Sequence, residues 1–173
     1  MFELKDLPSR ATLEQFAQIY PNPDVEGLHT WLTWASATHQ MLAAFDENLA
    51  RQGLSQTQFF VLLLLKRNPE GLSVGALANG VAVTSQSMTR ALGKMEKAGW
   101  CTKHDNPHDG RFWIVQLAPA GEAVLARALP DHYAWVARFM KHYDADERHA
   151  LSALMLKVAP ALGIPPPQAS HPR

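Results

Sequence analysis

Residues 84–117 read TSQSMTRALGKMEKAGWCTKHDNPHDGRFWIVQL, and the hydrophobic period changes partway through them. In the first half Met88, Ala91, Leu92 and Met95 recur at i, i+3, i+4 and i+7, the spacing of one helix face. Thr84 has the chemistry of an N-cap for that helix, and Gly99 suits its end. The opposite face carries Ser85, Gln86, Thr89, Arg90, Lys94 and Lys97, with no apolar residue. After Gly99 the period becomes that of strands. Residues 100–103 and 112–117 are rich in β-branched and aromatic side chains and predict two strands. Between them residues 104–111 form a polar loop with turn formers.

Working outward, Leu72 precedes Ser73 and meets Leu77 one turn later, a hydrophobic staple beside a Ser cap, with Asn79-Gly80 expected to close that short helix. Val83, Thr84 and Met88 repeat the device. Further upstream Ser55 and Gln58 make a capping box in front of the apolar run 59–65, and residues 68–71, Asn-Pro-Glu-Gly, end that helix. Leu28, Trp31, Leu32, Ala35, Met41, Leu42, Phe45 and Leu49 predict a long helix over 28–51, and Leu13, Phe16, Ala17 and Tyr20 a shorter one before it. Downstream, Pro119 suits a first helical turn. That helix runs through Leu125, Leu129, Val136 and Met140 with a kink expected at Pro130, and Asp144 with Glu147 opens a last helix through Leu162. The chain thus divides into an extension and dimerisation helix (1–53), a central domain (54–118), C-terminal dimerisation helices (119–162) and a tail expected to be disordered (163–173).

This order predicts a mostly α fold with a small β wing: a winged helix-turn-helix with long N- and C-terminal dimerisation helices. A helix whose outer face is Ser, Gln, Thr and Arg suits the major groove of DNA. Gln86 and Arg90 can pair bidentately with adenine and guanine edges, and the hydroxyls of Ser73, Thr84, Ser85, Ser87 and Thr89 can serve base or phosphate. Lys94 and Lys97 lie further along and suit phosphates. Arg111 beside Gly110 makes a slim wing tip for a minor groove, with Asp109 placed to hold the guanidinium by a charge-assisted hydrogen bond. The competing reading is a winged helix used for protein contact without DNA affinity.

These residues resemble the MarR family of bacterial transcriptional regulators. The resemblance runs over residues 28–162 and is most specific at LSQTQF (54–59), the wing DNPHDGR (105–111) and LAPAG (117–121). The hallmark is Asp-x-Arg in the wing, here 109–111, after a recognition helix ending in the turn MEKAGW (95–100). The resemblance implies a homodimer with intertwined terminal helices on a pseudo-palindromic operator near its own promoter. It also implies a small aromatic or anionic effector, bound between the dimer region and the DNA lobes, that releases a repressor. Ala118 departs from the family's usual capping Thr, which predicts a cap weaker by ~1 kcal/mol. A dimer also follows from the residues, because helices 28–51 and 119–162 carry more apolar surface than one small core covers.

Net charge taken alone argues against a polyanion partner: 16 Lys+Arg balance 16 Asp+Glu. By segment the balance is uneven. Residues 1–50 hold two basic against seven acidic residues, residues 51–113 eight against four, and residues 114–173 six against five. The basic excess sits on the predicted reading head. At 173 residues the chain suits one domain with an oligomerisation region, and its longest apolar run is far short of a membrane span. The acidic start argues against export, and the single Cys101 cannot form an internal disulfide, so a cytoplasmic location is expected.

For an effector, Trp31, Trp34 and His39 could line an apolar pocket with a polar tip, although dimer-core packing is the preferred reading of both Trp. Cys101 is expected to be a buried small hydrophobe. His104 and His108 lie in a loop without zinc-site spacing, and no phosphate loop or nucleophile motif occurs. Neither a metal, a cofactor nor an enzymatic activity is expected; a metal- or redox-switched regulator of the same fold stands as the alternative.

Overall fold

The computed structural model describes residues 6–105 and 113–163, and the chain divides into two compact units, Met1–Ala128 and Leu129–Arg173. In the first unit Ser9 caps helix α1 (Arg10–Ile19) by accepting from the Thr12 amide. Asp24 does the same through Gly27 for α2 (Val25–Ala50), which therefore begins a turn earlier than its apolar pattern. Helix α3 (Gln56–Arg67) starts in the expected capping box: Gln58 N–H donates to Ser55 Oγ at 3.3 Å and Ser55 N–H to Gln58 Oε1 at 2.9 Å. Phe59, Val61, Leu62 and Leu65 of α3 are buried, and the Phe59 ring meets Phe45 of α2 edge-on with centroids 6.0 Å apart.

Strand β1 (Leu72–Ser73), helix α4 (Val74–Val81) and helix α5 (Ser85–Lys97) follow, then strands β2 (Cys101–Asp105) and β3 (Trp113–Leu117). The sheet is antiparallel in the order β1-β3-β2, with Leu72 opposite Val115 and Asp105 opposite Trp113. Leu77 of α4, Met88, Leu92 and Met95 of α5, and Val115 of β3 have no exposed surface. Each such burial contributes roughly 1.5–3 kcal/mol.

Several expectations shift. The sheet has a third strand because Leu72 and Ser73 pair with β3; so short a strand shows no periodicity. Strand β2 extends through His104 and Asp105, which the turn formers assign to the loop, while Trp100 lies before it. Helix α4 does not close at Asn79-Gly80. It continues to Val81, and Ala82 takes the left-handed conformation at φ 56°, at a cost of roughly 1–2 kcal/mol for a residue with a Cβ. The end of α5 meets expectation: Gly99 sits at φ +71°, its N–H donates to the Glu96 carbonyl, and Trp100 N–H donates to that of Met95. This is a Schellman motif.

Helix α6 (Pro119–Met140) begins in the first unit, where Gly121, Leu125 and Ala128 are buried. Ala118 has no side chain to cap it, and its N–H donates instead to the Trp100 carbonyl at 3.0 Å. Pro130 lies inside α6 without ending it. In the second unit α6 continues to α7 (Ala145–Val158), which opens in the predicted Asp144–Glu147 capping box, and to a 3-10 turn (Pro160–Leu162). No residue of α7 is buried. No described helix is long and apolar enough to cross a membrane.

Two substitutions of opposite sign test this packing. A Cβ on Gly121 would stand 2.1 Å from the Trp100 carbonyl oxygen, so Gly121→Ala should destabilise by about 3 kcal/mol. Ala82→Gly relieves the left-handed strain and should stabilise by about 0.5 kcal/mol after the unfolded chain's gain in entropy is subtracted. Urea titration reads both; equal signs would be inconsistent with the described backbone.

Candidate nucleic-acid interface

The apolar face of α5 is inserted in the core, so its polar face is held outward. Ser85, Gln86, Ser87, Thr89, Arg90, Lys94 and Lys97 are all exposed, as their spacing predicts. Three of the predicted hydroxyls bond to backbone. Ser73 Oγ caps α4 by accepting from the Ala76 amide at 3.1 Å. Thr84 caps α5 by accepting from the Ser87 amide at 3.2 Å and donates its own proton to Ser87 Oγ at 3.0 Å. Thr89 donates back to the Ser85 carbonyl at 2.9 Å, which fixes its rotamer.

Two clefts flank this face. On the wing side Val74, Thr89, Leu92, Glu96, Lys103 and Trp113 line about 430 Å³. Lys103 Nζ donates to Glu96 Oε2 at 2.7 Å, tying β2 to the last turns of α5, and the Trp113 ring is half exposed. On the other side a cleft of about 230 Å³ lies between the first turn of α3 (Ser55, Thr57, Gln58) and Ser87, Arg90, Ala91 and Lys94 of α5. Nothing in the local pattern marks α3 as part of this surface, because the two segments are far apart along the chain. Asp109 and Arg111, the predicted wing-tip pair, lie outside the described residues.

The candidate effector residues are all on α2: Trp31 and Trp34 are exposed and His39 is half-buried. Neither of the two clefts is lined by any of them. Cys101 is buried on β2, where desolvation, aided by the Glu96 carboxylate and opposed by Lys103, pushes its thiol up to about 11. His104 Nε2 is 2.9 Å from Thr102 Oγ1, and His132 stacks on Trp135 with burial lowering its pKa. Among the described residues no group of three His, Cys, Asp or Glu side chains is placed to hold a metal ion.

The model of the MarR family matches residues 52–111. An uncharacterised HTH-type transcriptional regulator of Bacillus anthracis is 33% identical over 129 residues, covering 74% of this chain and 85% of that protein. The HTH-type transcriptional repressor YetL of Bacillus subtilis (strain 168) is 28% identical over 147 residues, 84% and 88% of the two chains. Among solved structures, the PcaV transcriptional regulator from Streptomyces coelicolor, in complex with its natural ligand, superposes with a TM-score of 0.65 at 21% identity, covering 74% of this chain and 92% of that one.

The Cys101 environment predicts an inert thiol. With a pKa of about 11, roughly one thiol in a thousand is ionised at pH 8, so a disulfide reagent should label native protein at least ~100-fold more slowly than urea-unfolded protein. The labelling rate should climb as pH rises toward that value; fast labelling at about pH 7 would contradict the burial.

Proposed function

The chain belongs to the MarR family of winged-helix transcriptional regulators, and from that premise we propose a homodimer that binds a pseudo-palindromic operator through α5 and the wing. DNA-binding transcription regulation, without enzymatic activity, is the common ground of the family. The observation that supports this chain's own reading head is the polar face of α5, whose Ser85, Gln86, Thr89, Arg90, Lys94 and Lys97 are exposed while Met88, Leu92 and Met95 are fully buried. In this reading residues 54–118 are the DNA lobe, and residues 1–53 and 119–162 the dimer region. Gln86 with Ser85, Thr89 and Arg90 faces the major groove, Lys94 and Lys97 face phosphates, and Arg111 held by Asp109 enters the minor groove.

The dimer is supported by apolar side chains that one chain leaves uncovered. Trp31, Trp34, Met41 and Leu42 of α2 are exposed, as are Leu154, Met155 and Leu156 of α7. A second copy that covers α7 also explains how a 14-residue helix with no buried residue is stabilised, since isolated helices of that length are marginal in water. The protein then acts as a repressor released by a small aromatic or anionic effector. Such an effector must favour a dimer whose two α5 helices are wrongly spaced for successive turns of DNA. That a regulator of the same fold can hold a ligand is supported by PcaV, which is solved in complex with its natural ligand. Trp31, Trp34 and His39 are the residues of this chain offered to that ligand. The raised thiol pKa and burial of Cys101 weigh against a redox switch.

Light scattering should give a mass about twice 19.2 kDa. Leu154→Glu with Met155→Glu should return it to the monomer value, with helical circular dichroism falling by no more than the share of the 14-residue α7. An unchanged mass would remove α7 from the interface. In a gel-shift titration with DNA from upstream of its own gene, Arg111→Ala should weaken binding about tenfold and lower the salt slope by about one. If neither the wild type nor any variant retards that DNA at ~50 mM salt, the regulator reading fails. A panel of aromatic carboxylates that leaves operator affinity unchanged would remove the effector class.

A further inference from the structure

The cleft of about 230 Å³ between α3 and α5 has a composition that its neighbour lacks. Its walls carry two cations, Arg90 and Lys94, and three hydroxyls, Ser55, Thr57 and Ser87, with no carboxylate among them. Neither cation is in an ion pair with any described residue. Ser87 Oγ already accepts from Thr84, which leaves its own proton free to be donated. Thr57 makes no side-chain hydrogen bond with a described residue. Ser55 already donates its proton to Gln58 Oε1 at 3.1 Å, so the donors the cleft offers are Thr57, Ser87 and the two cations, the complement of an anion with several acceptor oxygens.

We infer that this cleft holds one backbone phosphate of the operator in each half-site, with Arg90 and Lys94 neutralising it and Thr57 and Ser87 donating hydrogen bonds. The inference rests on the DNA-binding reading and refines it. Shape decides between phosphate and base. Base edges lie on the floor of a groove and are reached only by a convex element, whereas the phosphate ridge beside the groove stands proud and fits a concavity between two helices. As a lining residue of the cleft, Arg90 is in this reading placed beside the ridge. Its role is therefore positioning, in place of the guanine reading its spacing suggested. Reading by α5 falls to Gln86 with Ser85 and Thr89. The first turn of α3, absent from the sequence-based interface, becomes part of the DNA surface.

The test is selection of duplexes from a random library by the wild type, followed by affinity and salt titrations of variants on selected and unselected DNA. Arg90→Ala and Lys94→Ala should each weaken both kinds of duplex by the same factor, about tenfold, lower the salt slope by about one and leave the preferred sequence unchanged. Gln86→Ala should change preference at one position instead. Replacing one phosphate per half-site by methylphosphonate should cost the wild type more than either substitution alone, cost each single variant less than it costs the wild type, and cost the Arg90→Ala/Lys94→Ala pair nothing further.

Relaxed preference at one base with an intact slope in Arg90→Ala would make it a base reader and overturn the clamp. So would methylphosphonate losses that add fully to both substitutions at every position. A free anion is the other source of the same chemistry. If inorganic phosphate raises the melting temperature of the wild type but not of the Arg90→Ala/Lys94→Ala pair, while DNA affinity is unaffected by those substitutions, the cleft belongs to a free anion and the clamp is wrong. A wild type that enriches no sequence and shows no salt-dependent binding fails the DNA-binding reading itself, an outcome distinct from all of these.

Discussion

Burial of Met88, Leu92 and Met95 is the constraint on which the reading head depends. The three side chains have no exposed surface, and they sit at i, i+4 and i+7 of α5. Together they contribute roughly 5–9 kcal/mol, comparable with the entire net stability of many domains. Because they occupy one stripe, they also fix the helix's rotation about its axis. A rotation by one residue would expose methionine and carry a charged side chain such as Glu96 or Lys94 toward the core. The polar face is thus aimed outward by what the opposite face buries.

Trp100 joins the elements around that helix. Its amide closes the Schellman end of α5, and its carbonyl accepts from Ala118 at the start of α6. The same carbonyl is approached so closely by Gly121 that no larger residue fits. On the far side of the joint, Lys103 and Glu96 tie the wing strand back to α5. The angle between α5 and the wing strands therefore rests on backbone contacts in addition to side-chain packing, which suits the proposed engagement of adjacent grooves by the two elements.

The second unit poses the opposite problem. Helix α7 has well-formed caps but no fully buried residue, and its large apolar residues Leu154, Met155 and Leu156 are exposed in a single chain. Capping contributes on the order of 1 kcal/mol, too little to hold a helix of that length alone. A partner surface is the economical cover, and the proposed dimer supplies one. It would also gather Trp31 and Trp34 of α2, whose exposure in one chain contrasts with the packed interior expected for them.

Sequence by itself determined the order of the long helices and the two wing strands, the capping boxes at Ser55 and Asp144, the Gly99 stop and the division of α5 into two faces. These features rest on local periodicity and on side chains that bond to backbone within four residues. It also located the excess of positive charge, which a net charge of zero concealed. Tertiary structure alone decided the rest. Strand β1 exists because β3 pairs with it, and Ala82 bears the turn because the end of α4 requires a left-handed residue there. The cleft that joins Thr57 to Arg90 and Lys94 depends on α3 packing beside α5. Such contacts join residues tens of positions apart, and no local pattern records a proximity that only the buried core imposes.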